Sequence, residues 1–428
     1  MKPERARIGL LHHIGGGNLG DDATMDVVMR NIKQRWPHAA ITAFSMNPDD
    51  TEKRHGIPAY RVSTKTWPFG YKPPSTEATL KETVKTLASR YKFVFYFLRT
   101  IYALTIRMPR AFFRELSFLA ASFRIMRTLD LLIISGGGQL TEWGGPWAFP
   151  YTIFRWVLLA KFTRVRCIFL NVGAGPLTHP LSKFFVNRAL HAADYVSFRD
   201  GQSRVLAHEL GFTGESEVFP DSAYSLEVRA PSTSSSGKRD HSIVGIAPMP
   251  YCDPRVDPAE KNQIVYDDLI DKFAMFSSWL ARHSYSLALF GSDIGVDPLA
   301  IEDLRRELRN RYGVATSQYD SVNSIHELLA TMSAMDYVVT CRFHGVVFAH
   351  LLNKPVLAIS HHPKVMNLMK DLGLSKYCVD IRKFDPDMLT DVFKSLVNNT
   401  DEIKSHMAAS LMIYRSQLTT QFDDIFPR

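Results

Sequence analysis

Hydrophobic residues come along this chain in short unbroken runs, each followed by glycines and then by a segment whose apolar residues recur every three or four positions. The first run, Ile8 to Leu11, leads into GGGNLG, after which Met25, Val28 and Ile32 return at helical spacing. Asp21 and Asp22 sit where a helix N-cap belongs, and Arg30, Lys33 and Arg35 crowd the end where the helix dipole favours cations. A second strand, Ala40 to Met46, completes the unit. From Asp130 the pattern repeats: DLLIISGGGQL, a helix from Tyr151 to Phe162, VRCIFLNVGAGPL, a helix from about Leu181 to Ala192, YVSFRD, a helix from Gln202 to Leu210, and VFPDSAYSL. Uninterrupted apolar runs mark strands buried on both faces, as in parallel sheets covered by helices.

The one low-complexity stretch, RAPSTSSSGKRDHS at residues 229–242, has the Ser, Gly and Pro content of a flexible connection. Alternation restarts after it with SIVGIAP, a helix from about Lys261 to His283, SLALFGSD, and a helix from Pro298 to Arg311; a final block reads helix, strand, helix, strand, helix. The expected organisation is an N-terminal α/β domain over 1–228, a linker over 229–242, a C-terminal α/β domain over 243–400 and a terminal helix over 401–428. Two open α/β domains in tandem place a substrate cleft where the carboxyl ends of both sets of strands converge.

GGGNLG fits the G-x-G-x-x-G of dinucleotide-binding turns, but electrostatics disfavours that reading. A dinucleotide sets its pyrophosphate on bare N–H groups at the helix start, and here Asp21 and Asp22 occupy that place. The second strand also ends in Ser45, Met46 and Asn47, where the fingerprint expects an acid for the ribose.

Composition narrows the picture further. A chain of 428 residues is too long for one ordinary core. Cys167, Cys252, Cys341 and Cys378 are widely spaced and form no C-x-x-C pair, so a zinc knuckle or disulfide framework is not expected. Lys2, Glu4, Arg5 and Arg7 lead straight into a strand, which reads as a cytoplasmic protein without a signal peptide. The formal net charge of +8 points to anionic partners, and the absence of nucleic-acid-binding motifs argues against DNA or RNA. The charge is densest at 91–127, within a helical insert at about 72–128, where seven Lys or Arg accompany one acid, Glu115, among aromatics. Arginines interrupt that stretch too often for a membrane span, and Pro109 should divide it. Two readings stand: helices lying in a membrane interface, and a solvated helical cover on the N-terminal domain.

The polar residues at the ends of the apolar runs are the candidates for chemistry: Asn18, Asp21 and Asp22; Ser135 to Gln139; Arg199 and Asp200; Arg342 and His344; Ser360, His361, His362 and Lys364. Arginines, a lysine and histidines make a cationic cleft suited to a donor bearing phosphate and carboxylate together. No His pair has metal-site spacing and no nucleophile elbow is present, so neither a metal enzyme nor a serine hydrolase is expected.

In order and spacing, GGGNLGDDA, SGGGQLTEWGG, NVGAGPL, FRDGQSRVLAHELG, VFPDSAYSL and CRFHGVVFAHLLNKPVLAISHHPKV resemble the polysaccharide pyruvyl transferase family from about Ile8 to Leu374. The resemblance implies two Rossmann-like domains facing a central cleft, similar to GT-B glycosyltransferases. It also implies transfer of a pyruvyl group from phosphoenolpyruvate to a saccharide, giving a ketal on a cell-surface polysaccharide or its lipid-linked precursor, with no cofactor. Arg199, Arg342 and His344 then correspond to donor-binding and catalytic positions. In that chemistry His344 is the candidate acid, Asp21 the candidate base, and Arg199 and Arg342 an anion clamp. Gly16, Gly17, Asn18, Gly20, Gly136, Gly137, Gly138, Ser360 and Lys364 are the expected substrate-binding positions. A nucleotide-sugar glycosyltransferase of the same fold and a non-catalytic scaffold of glycan assembly remain as alternatives.

Overall fold

The computed structural model describes residues 5–12, 14–64, 108–228, 241–256, 261–316 and 322–427. His13, most of the insert and most of the 229–242 linker lie outside the described residues.

The first half builds β1 (Arg7–Leu11), α1 (Leu19–Arg35), β2 (Ala40–Ser45), α2 (Pro48–His55), β3 (Ala59–Arg61), α3 (Met108–Met126), β4 (Leu131–Ser135), α4 (Phe149–Thr163), β5 (Arg166–Val172), α5 (Pro180–Ala192), β6 (Tyr195–Phe198), α6 (Gly201–Glu209) and β7 (Glu217–Val218). Its strands form one parallel sheet in the order β3-β2-β1-β4-β5-β6-β7. The unbroken apolar runs sort cleanly between its faces. Leu131 and Ile133 of β4 join the core beside α1, whereas Leu132 and Ile134 pack beneath α4 with Trp156. The reversal of strand order beside β1 opens a crevice at the carboxyl edge, the usual ligand position in such sheets.

The second half builds β8 (Ile243–Ala247), α7 (Gln263–Arg282), β9 (Ser286–Leu289), α8 (Asp297–Tyr312), α9 (Ile325–Ser333), β10 (Tyr337–Thr340), α10 (Phe343–Leu351), β11 (Val356–Ser360), α11 (Pro363–Asp371), β12 (Cys378–Asp380), α12 (Pro386–Asn398) and α13 (Thr400–Ile425). The second sheet is also parallel, ordered β12-β11-β10-β8-β9.

The two sheets are joined at several points. The Tyr337 hydroxyl near β10 lies 3.2 Å from Thr400 at the start of α13, while at its far end Gln421 donates to Asn171 and Ser197 of the first sheet. Arg35 pairs with Asp423 at 2.9 Å and the Trp36 indole donates to the Pro427 carbonyl. The terminal helix thus returns to the first sheet and straps both halves together. On the cleft side the glycine turn bonds directly to the second half: Leu19 N donates to Ser292 O at 2.9 Å, and Ile294 N donates to Gly17 O at 2.9 Å.

Candidate active site

Four loops bring Asp21, Arg199, His344 and Lys364 to one place. Asn18 caps α1, its side chain accepting from Gly20 N at 3.0 Å, which fixes the first turn and directs Asp21 into the cleft. A Cβ on Gly20 would lie 1.9 Å from Nδ1 of His344. Glycine there is therefore what lets α1 of one half approach α10 of the other. The SGGG turn after β4 holds Gly136 and Gly137 at φ of 55° and 58°, a left-handed conformation that costs other residues. A Cβ on Gly137 would come within 2.8 Å of Asp21 Oδ1. Gly173, after β5, gives the same clearance to the Arg199 guanidinium.

Arg199 follows β6 and is almost fully buried. Its Cζ sits 4.2 Å from the Phe343 ring centroid, and its nitrogens lie 3.5 Å from Asp200 and 3.6 Å from Asp221. His344 Nε2 is 3.9 Å from Asp221 Oδ2. Arg199 Nε, Asp221 Oδ2 and His344 Nε2 are all buried without a hydrogen-bond partner, and so are His12, Ser135 Oγ and Gln139 Oε1 at neighbouring strand ends. Buried polar atoms are rarely left in this state in a finished core; collected at one sheet edge, they describe a receptor for polar ligand atoms. Beside them Arg199, Asp221, Tyr224, Phe343, Lys364 and Leu368 help line a cavity of about 260 Å³. A larger cavity of about 380 Å³ lies away from this cluster, between α1, α2 and the start of α9. There the carboxylates of Asp22 and Asp26 face His55 at 3.6 and 2.6 Å, holding the imidazole up at about 9 despite burial.

Burial moves the two titratable groups of the cluster in opposite directions. Burial pushes Asp21 up to about 7, with Lys364 and Arg199 pulling down and Asp22 and Asp221 adding to the rise. Burial likewise pushes His344 down to about 4, against the pull of Asp221. At neutral pH the carboxyl therefore carries a proton much of the time and the imidazole does not. Lys364, in the first turn of α11, is lowered to about 8 by burial and by Arg199.

Arg342 does not join this cluster as a free clamp. Its Nε donates to Asp297 Oδ1 at 3.0 Å, its other nitrogen also reaches Asp297, and Asp293 stands 3.7 Å away. Asp297 is fully buried and also accepts from the amides of Ser292 and Asp293. Arg342 thus pins the loop that pairs with Gly17 and Leu19. Gly17 itself has φ of 87°, and a Cβ there would meet Gly295 N at 3.0 Å, so its close approach is to the second half's backbone. The Ser360 hydroxyl bonds to the His362 carbonyl and shapes its own turn, Gly138 adjoins Thr141, and Gly16 lies half-buried in the first loop. Of the two adjacent histidines after β1, His12 is a core residue. Among the described residues no group of three or more His, Cys, Asp or Glu is placed to hold a metal.

Residues 18–363 match the family described as polysaccharide pyruvyl transferase. The chain belongs to the polysaccharide pyruvyl transferase family. It is accordingly a transferase enzyme, and its family transfers pyruvyl groups to polysaccharide. No curated protein matches it in sequence. Among solved structures it is similar to Anabaena Alr3699/HepE in complex with UDP, at 13% identity and TM-score 0.52 over 98% of this chain and 97% of that one. It is also similar to a putative UDP-N-acetylglucosamine 2-epimerase from Listeria monocytogenes, at 11% identity and TM-score 0.55 over 94% and 91%. A third is the N-terminal domain of Candida albicans trehalose-6-phosphate phosphatase, at 12% identity and TM-score 0.54 over 98% of each chain. At these identities the likeness establishes the GT-B-like fold.

Sequence reasoning passed over Asp221, Asp297, Gly173 and Phe343 as site residues. Asp221 had a local signal, a carboxylate capping the short 3₁₀ turn Ser222–Ser225 right after Pro220. Asp297 had none, because it is the first residue of an ordinary amphipathic helix.

Proposed function

We propose that the donor is phosphoenolpyruvate and that the product is a pyruvate ketal on a cell-surface saccharide or its lipid-linked precursor. The observation that carries this reading is the convergence of Asp21, Arg199, His344 and Lys364, from both halves of the fold, with buried polar atoms among them that lack partners. Phosphoenolpyruvate carries carboxylate and phosphate on adjacent atoms, and Arg199 with Lys364 supplies fixed positive charge for both. Asp21, protonated near neutrality, gives its proton to C3 of the enol, so that C2 becomes electrophilic. A saccharide hydroxyl adds to C2 and passes its proton to neutral His344, whose imidazolium Asp221 stabilises. The C2–O bond to phosphate then breaks, inorganic phosphate leaves, and a second hydroxyl of the same sugar closes the ketal, its proton leaving with the phosphate. Arg342 is a positioning residue in this scheme, holding the 292–297 loop against the glycine turn.

The nucleotide-sugar alternative shares the cleft and is separated by ligand-dependent melting. A ligand at about 100 times its Kd stabilises the folded state by about 2.7 kcal/mol. Phosphoenolpyruvate should raise the melting temperature and lose that effect in Arg199→Ala, while UDP-glucose should not raise it. The opposite ranking of the two ligands would return the cleft to nucleotide-sugar chemistry.

A further inference from the structure

Among the described residues, the layer of α3, α4 and α5 on the outer face of the first sheet has a charge balance that the other helices do not share. These helices carry seven Lys or Arg (Arg110, Arg114, Arg124, Arg155, Lys161, Lys183 and Arg188) and one acid, Glu115. Glu115 is neutralised within the layer by Arg155 and accepts from Thr64. By contrast α1 carries three acids with three bases, and α8 four with four.

The same layer exposes large apolar side chains in ordered stripes. On α3 Phe118, Ser122, Ile125 and Met126 pack inward, while Phe112, Leu116 and Phe123, at i, i+4 and i+11, form a second stripe that faces solvent. Phe112 and Phe113 are 65% and 64% exposed, and Phe162 at the end of α4 is 75% exposed. On α5 Leu181 and Phe184 share an exposed stripe with Arg188. Phe118 meets Trp156 of α4 at 6.3 Å and Phe154 of α4 meets Phe184 at 6.2 Å, so the three helices form one continuous surface. A second apolar stripe on a helix whose first is already packed is not explained by the core.

We infer that this α3–α4–α5 surface docks the protein onto an anionic lipid bilayer. Aromatic and leucine side chains enter the interface while exposed arginines and lysines meet lipid headgroups, the pairing that holds amphipathic helices in the membrane plane. No described helix is long and apolar enough to cross a membrane. The geometry also serves the cleft. Helices α4 and α5 start from the carboxyl edge of β4 and β5, so Leu181 and Phe184 stand on the side of the layer nearest the catalytic cluster, where a lipid-borne acceptor would arrive. The inference rests on the surface itself and is independent of which donor the cleft takes.

The test is co-sedimentation of the full chain with vesicles of phosphatidylcholine alone and of phosphatidylcholine with phosphatidylglycerol. Wild type should partition onto the anionic vesicles, more weakly as salt rises because the Debye length contracts from roughly 10 Å at 0.1 M. Phe112→Ser/Leu116→Ser/Phe184→Ser should lower partitioning about 10-fold or more, and Arg110→Gln/Arg114→Gln/Lys183→Gln/Arg188→Gln should reduce binding to the anionic vesicles by roughly 100-fold or more. All these positions are exposed, and unchanged far-UV circular dichroism verifies folding. Failure of wild type to bind either vesicle overturns the inference, as does binding that neither variant weakens. A wild-type dimer in lipid-free sedimentation velocity that the Phe/Leu variant converts to monomer would also overturn it and assign the surface to a second copy of the chain.

Discussion

Two arginines follow apolar strands in this protein, and both suggest an anion clamp when seen as sequence, yet the structure uses them differently. Arg342 is hydrogen-bonded to buried Asp297, with Asp293 close by. Arg199 sits over the Phe343 ring with its nearest carboxylates 3.5 and 3.6 Å away and its Nε without a hydrogen-bond partner. The first arrangement is a closed ion pair that fixes a loop. The second is a charge stacked on an aromatic ring between two carboxylates at longer range, with Nε still lacking a hydrogen-bond partner. A cation at a strand end thus identifies a ligand site only when its neighbours do not already satisfy it.

The largest effect that sharpens this contrast should come from the open cluster. His344→Ala should lower transfer by roughly 10²–10⁴-fold, the usual worth of a positioned acid or base, with the urea midpoint little changed. Near-wild-type turnover by a folded His344→Ala protein would remove His344 from the chemistry. Next, Arg342→Ala leaves Asp297 buried and unpaired, which should cost about 3–5 kcal/mol of stability, whereas Arg199→Ala should chiefly abolish stabilisation by phosphoenolpyruvate. If urea unfolding shows Arg199→Ala to be the less stable of the two, the contrast fails. Arg342→Met/Asp297→Leu, which removes both charges, should recover much of the lost stability.

A smaller effect concerns Asp21. Its folded pKa of about 7 lies above the ordinary value of 3.8, so stability falls as pH rises between those values and the full penalty is present by pH 8. Asp21→Asn should therefore be more stable than wild type at pH 8, by up to about 4 kcal/mol, and nearly equal near pH 4. In the same scheme kcat/KM should fall below pH 4, where His344 becomes charged, and above pH 7, where Asp21 loses its proton. An alkaline limb that stays put in a residually active Asp21→Asn protein would show that another group sets it. The smallest expected change is Asn18→Ala, which removes the cap of α1 and should cost about 1 kcal/mol in urea unfolding.

Much of this arrangement was legible along the chain because its causes are local. An uninterrupted run such as LLIIS reads as a buried parallel strand since both faces must be apolar, and β4 indeed divides its side chains between two cores. The cap of α1 was less exact: the sequence points to Asp21 and Asp22, whereas Asn18 is the cap and the two acids lie in the first turn. The glycines were legible as close approaches, though not what they approach: Gly20 clears His344, more than 300 positions later, and Gly17 meets Gly295.

By itself, the sequence determined the parallel strands, the existence of the helices that follow them, and the family to which the six spaced segments point. All of these depend on periodicity, capping or turn chemistry acting within a few residues. Only the tertiary structure decided which carboxylates each arginine meets, because Asp297 reaches Arg342 and Asp221 reaches Arg199 from different strand–helix units. It also set the directions in which Asp21 and His344 move, the first up and the second down from their ordinary values. Proton affinity here is set by how much water the surrounding fold excludes and by which charges it brings within reach, and neither quantity exists until both halves have closed on the cleft.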